Sequence, residues 1–163
     1  MRYYCLLLCF VLSPVLPAQS FQSTPGPLLQ QEVAPGQATE CYLYFENRSS
    51  DSLQLKWKRV ETSFPAEWVI DLCDFGLCYV GIPASGLMNK AAPNEKPFLK
   101  LIVQPGSTPG AGWLWFRVWE NGDPDNYEDV YFSIYTPGVS SVHTPQTVDI
   151  QIFPNPDSGM LTV

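Results

Sequence analysis

The chain has a single histidine, His143, and its scarcity removes more chemistry than any motif supplies. A Ser/His/Asp arrangement needs an imidazole held on a rigid element. His143 lies between Ser141 and Pro145, in a stretch that reads as linker. The carboxylates cluster in turns rather than on facing strands, which argues against the paired acids of glycoside hydrolysis. Charged residues make up only 15% of the sequence, and cations are the scarcer kind, 9 Lys+Arg against 16 Asp+Glu. A formal charge of −7 argues against nucleic acid and anionic membrane surfaces as partners. No apolar run reaches the roughly 20 residues of a membrane-spanning helix, and no window has the period of an amphipathic helix. The sequence therefore offers no catalytic residue, no cofactor and no transmembrane segment. No metal site is expected either, since the lone histidine lies in a linker and no second cysteine pair completes a ligand set.

What is present is aromatic residues (13%) and 16 prolines, a composition that suits short strands and many turns. Apolar residues alternate with polar ones in segment after segment: Leu28 to Val33, Ala38 to Glu46, Leu53 to Val60, Trp68 to Cys73, Cys78 to Ile82, Lys96 to Val103, Ala111 to Glu120 and Val130 to Tyr135. Period-two alternation bounded by Gly, Pro, Asn and Ser marks half-buried strands. The spacing predicts an all-β fold, an antiparallel immunoglobulin-like β-sandwich of about eight strands, with a short C-terminal β segment. Cys41 followed by Trp57 imitates the immunoglobulin spacing, but the late strands hold no second core cysteine, so an antibody-type inter-sheet disulfide is excluded.

The N-terminus reads as an export signal: Arg2, an apolar stretch from Tyr3 to Leu16, then Pro17-Ala18-Gln19-Ser20. Small residues at Ala18 and Ser20 place the cleavage between Ser20 and Phe21. Cys9 follows Leu8, where a lipoprotein signal needs a small residue, so Cys5 and Cys9 are expected to leave with the leader. Of the remaining three cysteines, Cys73 and Cys78 flank a tight loop holding Gly76, and a disulfide across it is geometrically reasonable in an oxidising compartment. Closing so short a loop is worth about 2 kcal/mol on the chain-entropy model. Cys41 alternates with Leu43 and Phe45 and is expected in the core as a small hydrophobe.

Two resemblances add to this reading. The segment Val148 to Val163 runs as an apolar strand, then Pro154-Asn155-Pro156, a small-residue turn with Gly159, and a second apolar strand. It resembles the opening of the type A sorting domain of type IX secretion cargo in Bacteroidota; a whole sorting domain continues for several more strands. The block Trp68-Val69-Ile70-Asp71-Leu72-Cys73-Asp74 with Cys78-Tyr79, the Asn47 to Trp57 stretch and Pro109-Gly110-Ala111-Gly112 are similar to a small β-sandwich domain of exported Bacteroidota proteins. Together these imply residues 1–20 as signal peptide, 21–136 as the sandwich, 137–147 as linker and 148–163 as the truncated start of a sorting domain. They also imply secretion or display at the outer cell surface, by way of the periplasm and the type IX machinery, and they add no reaction, so a non-enzymatic spacer, adhesive or interaction module is expected.

One strip of residues suggests binding. If Leu114, Phe116 and Val118 point inward, then Trp113, Trp115, Arg117 and Trp119 point outward. On the next strand, Tyr131, Ser133 and Tyr135 share that face. An exposed aromatic strip suits a neighbouring domain, a surface protein or a stacked sugar; a covered face or a reversed assignment is the plainer explanation. Residues 120–129 are rich in oxygen ligands and raise the question of calcium, with a solvated hairpin loop as the simpler account. Asn47-Arg48-Ser49 and Asp51-Ser52-Leu53 match short glycosylation motifs, and each is also an ordinary polar turn.

Overall fold

The computed structural model describes residues 20–138, together with the backbone of two short strands at 153–154 and 161–162. Ten strands form the body: β1 (Phe21–Thr24), β2 (Leu28–Glu32), β3 (Thr39–Asn47), β4 (Leu55–Ser63), β5 (Val69–Asp74), β6 (Cys78–Tyr79), β7 (Ser85–Leu87), β8 (Phe98–Gln104), β9 (Ala111–Glu120) and β10 (Tyr127–Tyr135). They build two five-stranded sheets, ordered β1-β3-β8-β5-β6 and β2-β10-β9-β4-β7. The architecture is an all-β, immunoglobulin-like sandwich, and no helix occurs among the described residues. The separate pair β11 (Phe153–Pro154) and β12 (Leu161–Thr162) runs antiparallel. The cleavage-site residues Ser20 and Phe21 are described. The leader through residue 19, His143, most of the linker, and Asn155, Pro156 and Gly159 of the sorting motif lie outside the described residues.

The alternation read from the sequence is what fills the interior. Cys41, Leu43 and Phe45 of β3 and Leu99, Leu101 and Val103 of β8 face Leu55 and Trp57 of β4, Leu114, Phe116 and Val118 of β9, and Val130, Phe132 and Ile134 of β10, all buried. Each fully buried side chain of this size contributes roughly 1.5–3 kcal/mol. Aromatic rings meet edge to face at the centre, Trp57 on Phe116 at 5.4 Å and Phe116 on Phe132 at 6.1 Å, the arrangement that ring quadrupoles favour. Cys41 is buried and unbridged, and burial pushes its thiol up to about 12.

Several boundaries differ from the sequence reading. Ten strands replace about eight, because β1 and β7, of four and three residues, are too short to show a period. The sheets are antiparallel as expected, except that β2 pairs in parallel with β10. The reason is a crossover: β1 belongs to the first sheet, and the chain then enters the second sheet alongside β10. β6 ends at Tyr79 rather than Ile82, because Gly81 turns at φ +76° and its N–H donates to Asp71 Oδ1. β10 begins at Tyr127 rather than Val130, because Glu128 and Asp129 have donors to meet on neighbouring strands. β4 runs on to Ser63 through a bulge between Arg59 and Glu61, which leaves Val60 exposed.

Candidate interaction face

The outer face of the second sheet is a grid whose rungs follow from strand register. One rung carries Leu28, Tyr131, Trp115 and Glu61; the rung on one side carries Gln30, Ser133, Trp113 and Ser63. On the other side Asp129, Arg117 and Lys58 form a rung, followed by Tyr127, Trp119 and Lys56. Tyr135 stands opposite Ala111 and Glu32. Inner positions Leu114, Phe116 and Val118 are buried, while Trp113, Trp115, Arg117 and Trp119 are half-buried on the outside. Tyr131 and Tyr135 are half-buried too, and Ser133 is buried between them.

The face is thus less open than an exposed aromatic strip would be, because large flat side chains lie down on one another. Trp115 stacks on Tyr131, with centroids 5.5 Å apart and planes 25° from parallel. The Trp115 indole N–H is buried there without an acceptor. Arg117 lies 3.7 Å from the Tyr127 ring centroid and grips Asp129 through two hydrogen bonds of 2.8 and 2.9 Å. That fork and the cation–π contact fix a guanidinium that would otherwise be mobile. The bond to Asp129 raises the Arg117 pKa further; burial, then the Asp129 charge, raises that of the Tyr131 phenol. Tyr127 is the most open aromatic of the face, 43% exposed. The sequence reading missed Tyr127, Asp129 and the two exposed β4 lysines; extending the β10 alternation three residues upstream would have found the first two.

Carboxylates expected in an acidic loop are tied to protein donors instead. Glu120 accepts from Ser20 Oγ at 2.7 Å. Glu128 accepts the Ser23 N–H at 2.9 Å and its hydroxyl as well. Asp129 holds Arg117. No cluster of three or more His, Cys, Asp or Glu suited to a metal occurs among the described residues.

The disulfide loop has a neighbour that the sequence did not announce. Cys73 and Cys78 are bonded and stand opposite each other across β5 and β6. Between them in sequence, Asp74 is 2% exposed and accepts three hydrogen bonds: Trp57 Nε1 at 2.9 Å, the Tyr79 hydroxyl at 3.1 Å and the Leu77 N–H at 3.0 Å. Trp57 belongs to the other sheet, so Asp74 pins the two sheets together. The Trp57 ring leaves no room at Gly86, where a Cβ would come within 2.4 Å of it. The glycines of the Pro109–Gly112 stretch have a related purpose: a Cβ on Gly112 would meet the Phe64 ring at 2.0 Å. The blocks that carried the sequence resemblance are therefore packing partners. Tyr79 sits on the same carboxylate; burial, then the Asp74 charge, raises its pKa.

With the fold and face described, the class is an immunoglobulin-like β-sandwich domain with a disulfide-closed hairpin. Neither a protein-family model nor a curated protein matches the sequence. Among solved structures, the chain is similar to the N-terminal domain of PorA, with a TM-score of 0.57 and 12% identity over 69% of this chain and 89% of that one. It also matches a conjugative transposon lipoprotein from Bacteroides eggerthii, with a TM-score of 0.41 and 16% identity over 72% and 98% of the two chains. A third match is a PapD-like domain of human CEP192, with a TM-score of 0.42 and 13% identity over 79% and 93%. At such identities the likeness to the PorA domain is one of fold.

Proposed function

We propose that this protein is an exported, non-enzymatic interaction module, released or displayed at the outer surface by the type IX pathway. The observation that carries the contact role is the outer face of the second sheet. It gathers Trp113, Trp115, Trp119, Tyr127, Tyr131 and Tyr135 on two adjacent strands. Aromatic side chains of this density are what interface hot spots are made from. Export is supported by the leader-like N-terminus, by the Cys73–Cys78 bond and by the sorting-type motif around Pro154. A reporter fused after Val163 tests the route in a type IX-competent host and in a strain lacking the pathway. The reporter is expected outside the competent cell and in the periplasm of the deficient one; periplasmic retention in both overturns the route.

A second reading, carbohydrate binding, is favoured by the Trp115–Tyr131 stack, whose near-parallel rings form a platform on which a sugar ring can lie. A glycan array compares wild type with Trp115→Ala. Binding by wild type that falls about tenfold or more in the variant, a loss of about 1.4 kcal/mol, supports it. An array with no signal removes it.

A further inference from the structure

The two sheets are not equally closed along their sides. On the β6–β7 side, β7 covers only Lys56–Lys58 of β4, and β6 covers only Leu72 and Cys73 of β5. Where both covering strands stop, an open groove of about 530 Å³ remains. Phe64, Trp68, Ile70 and Ile82 are the large apolar residues of its lining, which also includes Arg59 and Thr62. The groove belongs to neither the aromatic face nor the Asp74 network.

Two observations give it a chemical preference. The first is Arg59. Its Nη1 donates to the Ile82 carbonyl at 2.8 Å, which holds the guanidinium beside the groove. The ion pairs among the described residues are Lys96–Glu46, Lys100–Glu40 and Arg117–Asp129, so Arg59 has no carboxylate of its own there. A guanidinium presents five donors in a fork that fits a carboxylate, and one backbone carbonyl leaves most of them unused. The second is Trp68, only 6% exposed, whose indole N–H is buried without an acceptor. That N–H is sealed inside the wall, so the donors open to a ligand are those of Arg59; the Phe64 and Trp68 rings, with centroids 5.9 Å apart, make the wall packed and preformed, as small-ligand sites are.

We infer that this groove binds a small apolar carboxylate, an aryl- or alkyl-alkanoate. Its body lies on Phe64, Trp68, Ile70 and Ile82, and its carboxylate meets Arg59. The chain's negative charge, −7, disfavours anions over most of the surface, and Arg59 is the cation that lines this groove. The groove is open and shallow, so affinity is modest, with Kd on the order of 1 mM for a ligand of about a dozen heavy atoms.

The test uses amide-resolved NMR on the full chain, titrated with 4-phenylbutyrate, octanoate and the uncharged 4-phenylbutyramide. Both acids are expected to shift the amides of Thr62, Ile70 and Ile82 saturably, with 4-phenylbutyramide about tenfold weaker than its acid. Arg59→Gln is expected to bring acid and amide to equal affinity, and Arg59→Lys to retain part of the preference. Absence of saturable shifts at these residues overturns the site. Equal affinity of acid and amide for wild type, or a preference that survives Arg59→Gln, overturns the assigned chemistry. Should Arg59→Gln lose the dispersed spectrum of a folded chain, the wild-type comparison of acid with amide decides the matter alone.

Discussion

The two long sides of the sandwich are sealed by the same device in different settings. On one side Glu128 of the second sheet receives both the N–H and the hydroxyl of Ser23 from the first. On the other, Asp74 of the first sheet receives Trp57 from the second. Each is a carboxylate accepting donors across the gap, and charge-assisted bonds of this kind are worth more than neutral ones. The difference lies in what surrounds them. At the Glu128 side the chain passes from β1 in one sheet to β2 in the other, so backbone closes the seam. At the Asp74 side residues 80–84 carry the chain across as well, from β6 to β7, but these strands are stubs of two and three residues, and the Arg59 groove remains. Both seams are crossed by chain, so the weight on each carboxylate follows from its setting: Asp74 is sealed from water and meets three residues, whereas Glu128 is half-buried and meets Ser23.

The largest expected effect follows from that contrast. Asp74→Ala leaves the Trp57, Tyr79 and Leu77 donors without their acceptor and should cost about 3–5 kcal/mol, since each buried orphan costs about 1–3 kcal/mol. A urea melt measures it. Next comes the disulfide: Cys73→Ser with Cys78→Ser should cost about 2 kcal/mol for so short a loop. Glu128→Ala should cost less than Asp74→Ala, about 1–2 kcal/mol, because Glu128 is half-buried and only Ser23 loses its acceptor; equal midpoints for the two variants would break the comparison.

Cys41 offers an independent probe of opening. Its thiol is buried, with its pKa pushed up from 9.0 to about 12. The unfolded thiol ionises near pH 9, so this contribution to stability is whole below pH 9 and is lost as pH rises toward 12. At pH 8 a thiol reagent should label the native protein slowly and Asp74→Ala much faster. The smallest effect belongs to a pair remote from both seams. The bond from Lys100 holds the Glu40 carboxyl below its ordinary 4.5, so its contribution is present above pH 4.5 and is lost as pH falls through the lower native value. Lys100→Gln should shift the melting temperature slightly at pH 6, and the shift should shrink as pH falls below 4.5. A shift at pH 6 as large as that of Glu128→Ala would show that this exposed pair matters more than surface pairs usually do.

Much of this was legible in the sequence, and the limits have physical reasons. The alternation of Leu114, Phe116 and Val118 against Trp113, Trp115 and Trp119 reads directly onto β9, because a strand repeats every two residues. Cys73 and Cys78 could be paired because the loop between them is short. By contrast, Ser23 meets Glu128 across 105 positions, and nothing local in either residue marks the other. Asp74 looked like a turn residue because its turn is real; only the fold brings Trp57 to it. The half-burial of the indoles was hidden too, since ring stacking depends on register between strands rather than on the pattern within one.

The parallel pairing of β2 with β10 has a consequence for how the molecule is made. Leu28 is among the first residues of the domain to leave the ribosome, yet its neighbour in the sheet is Tyr131. A nascent chain must therefore keep an apolar edge waiting while about a hundred residues follow, and contacts so distant in sequence form slowly and leave sticky intermediates. Passage through a membrane in extended form would suit such a polypeptide, because the closing strand arrives last and the barrier itself delays premature collapse.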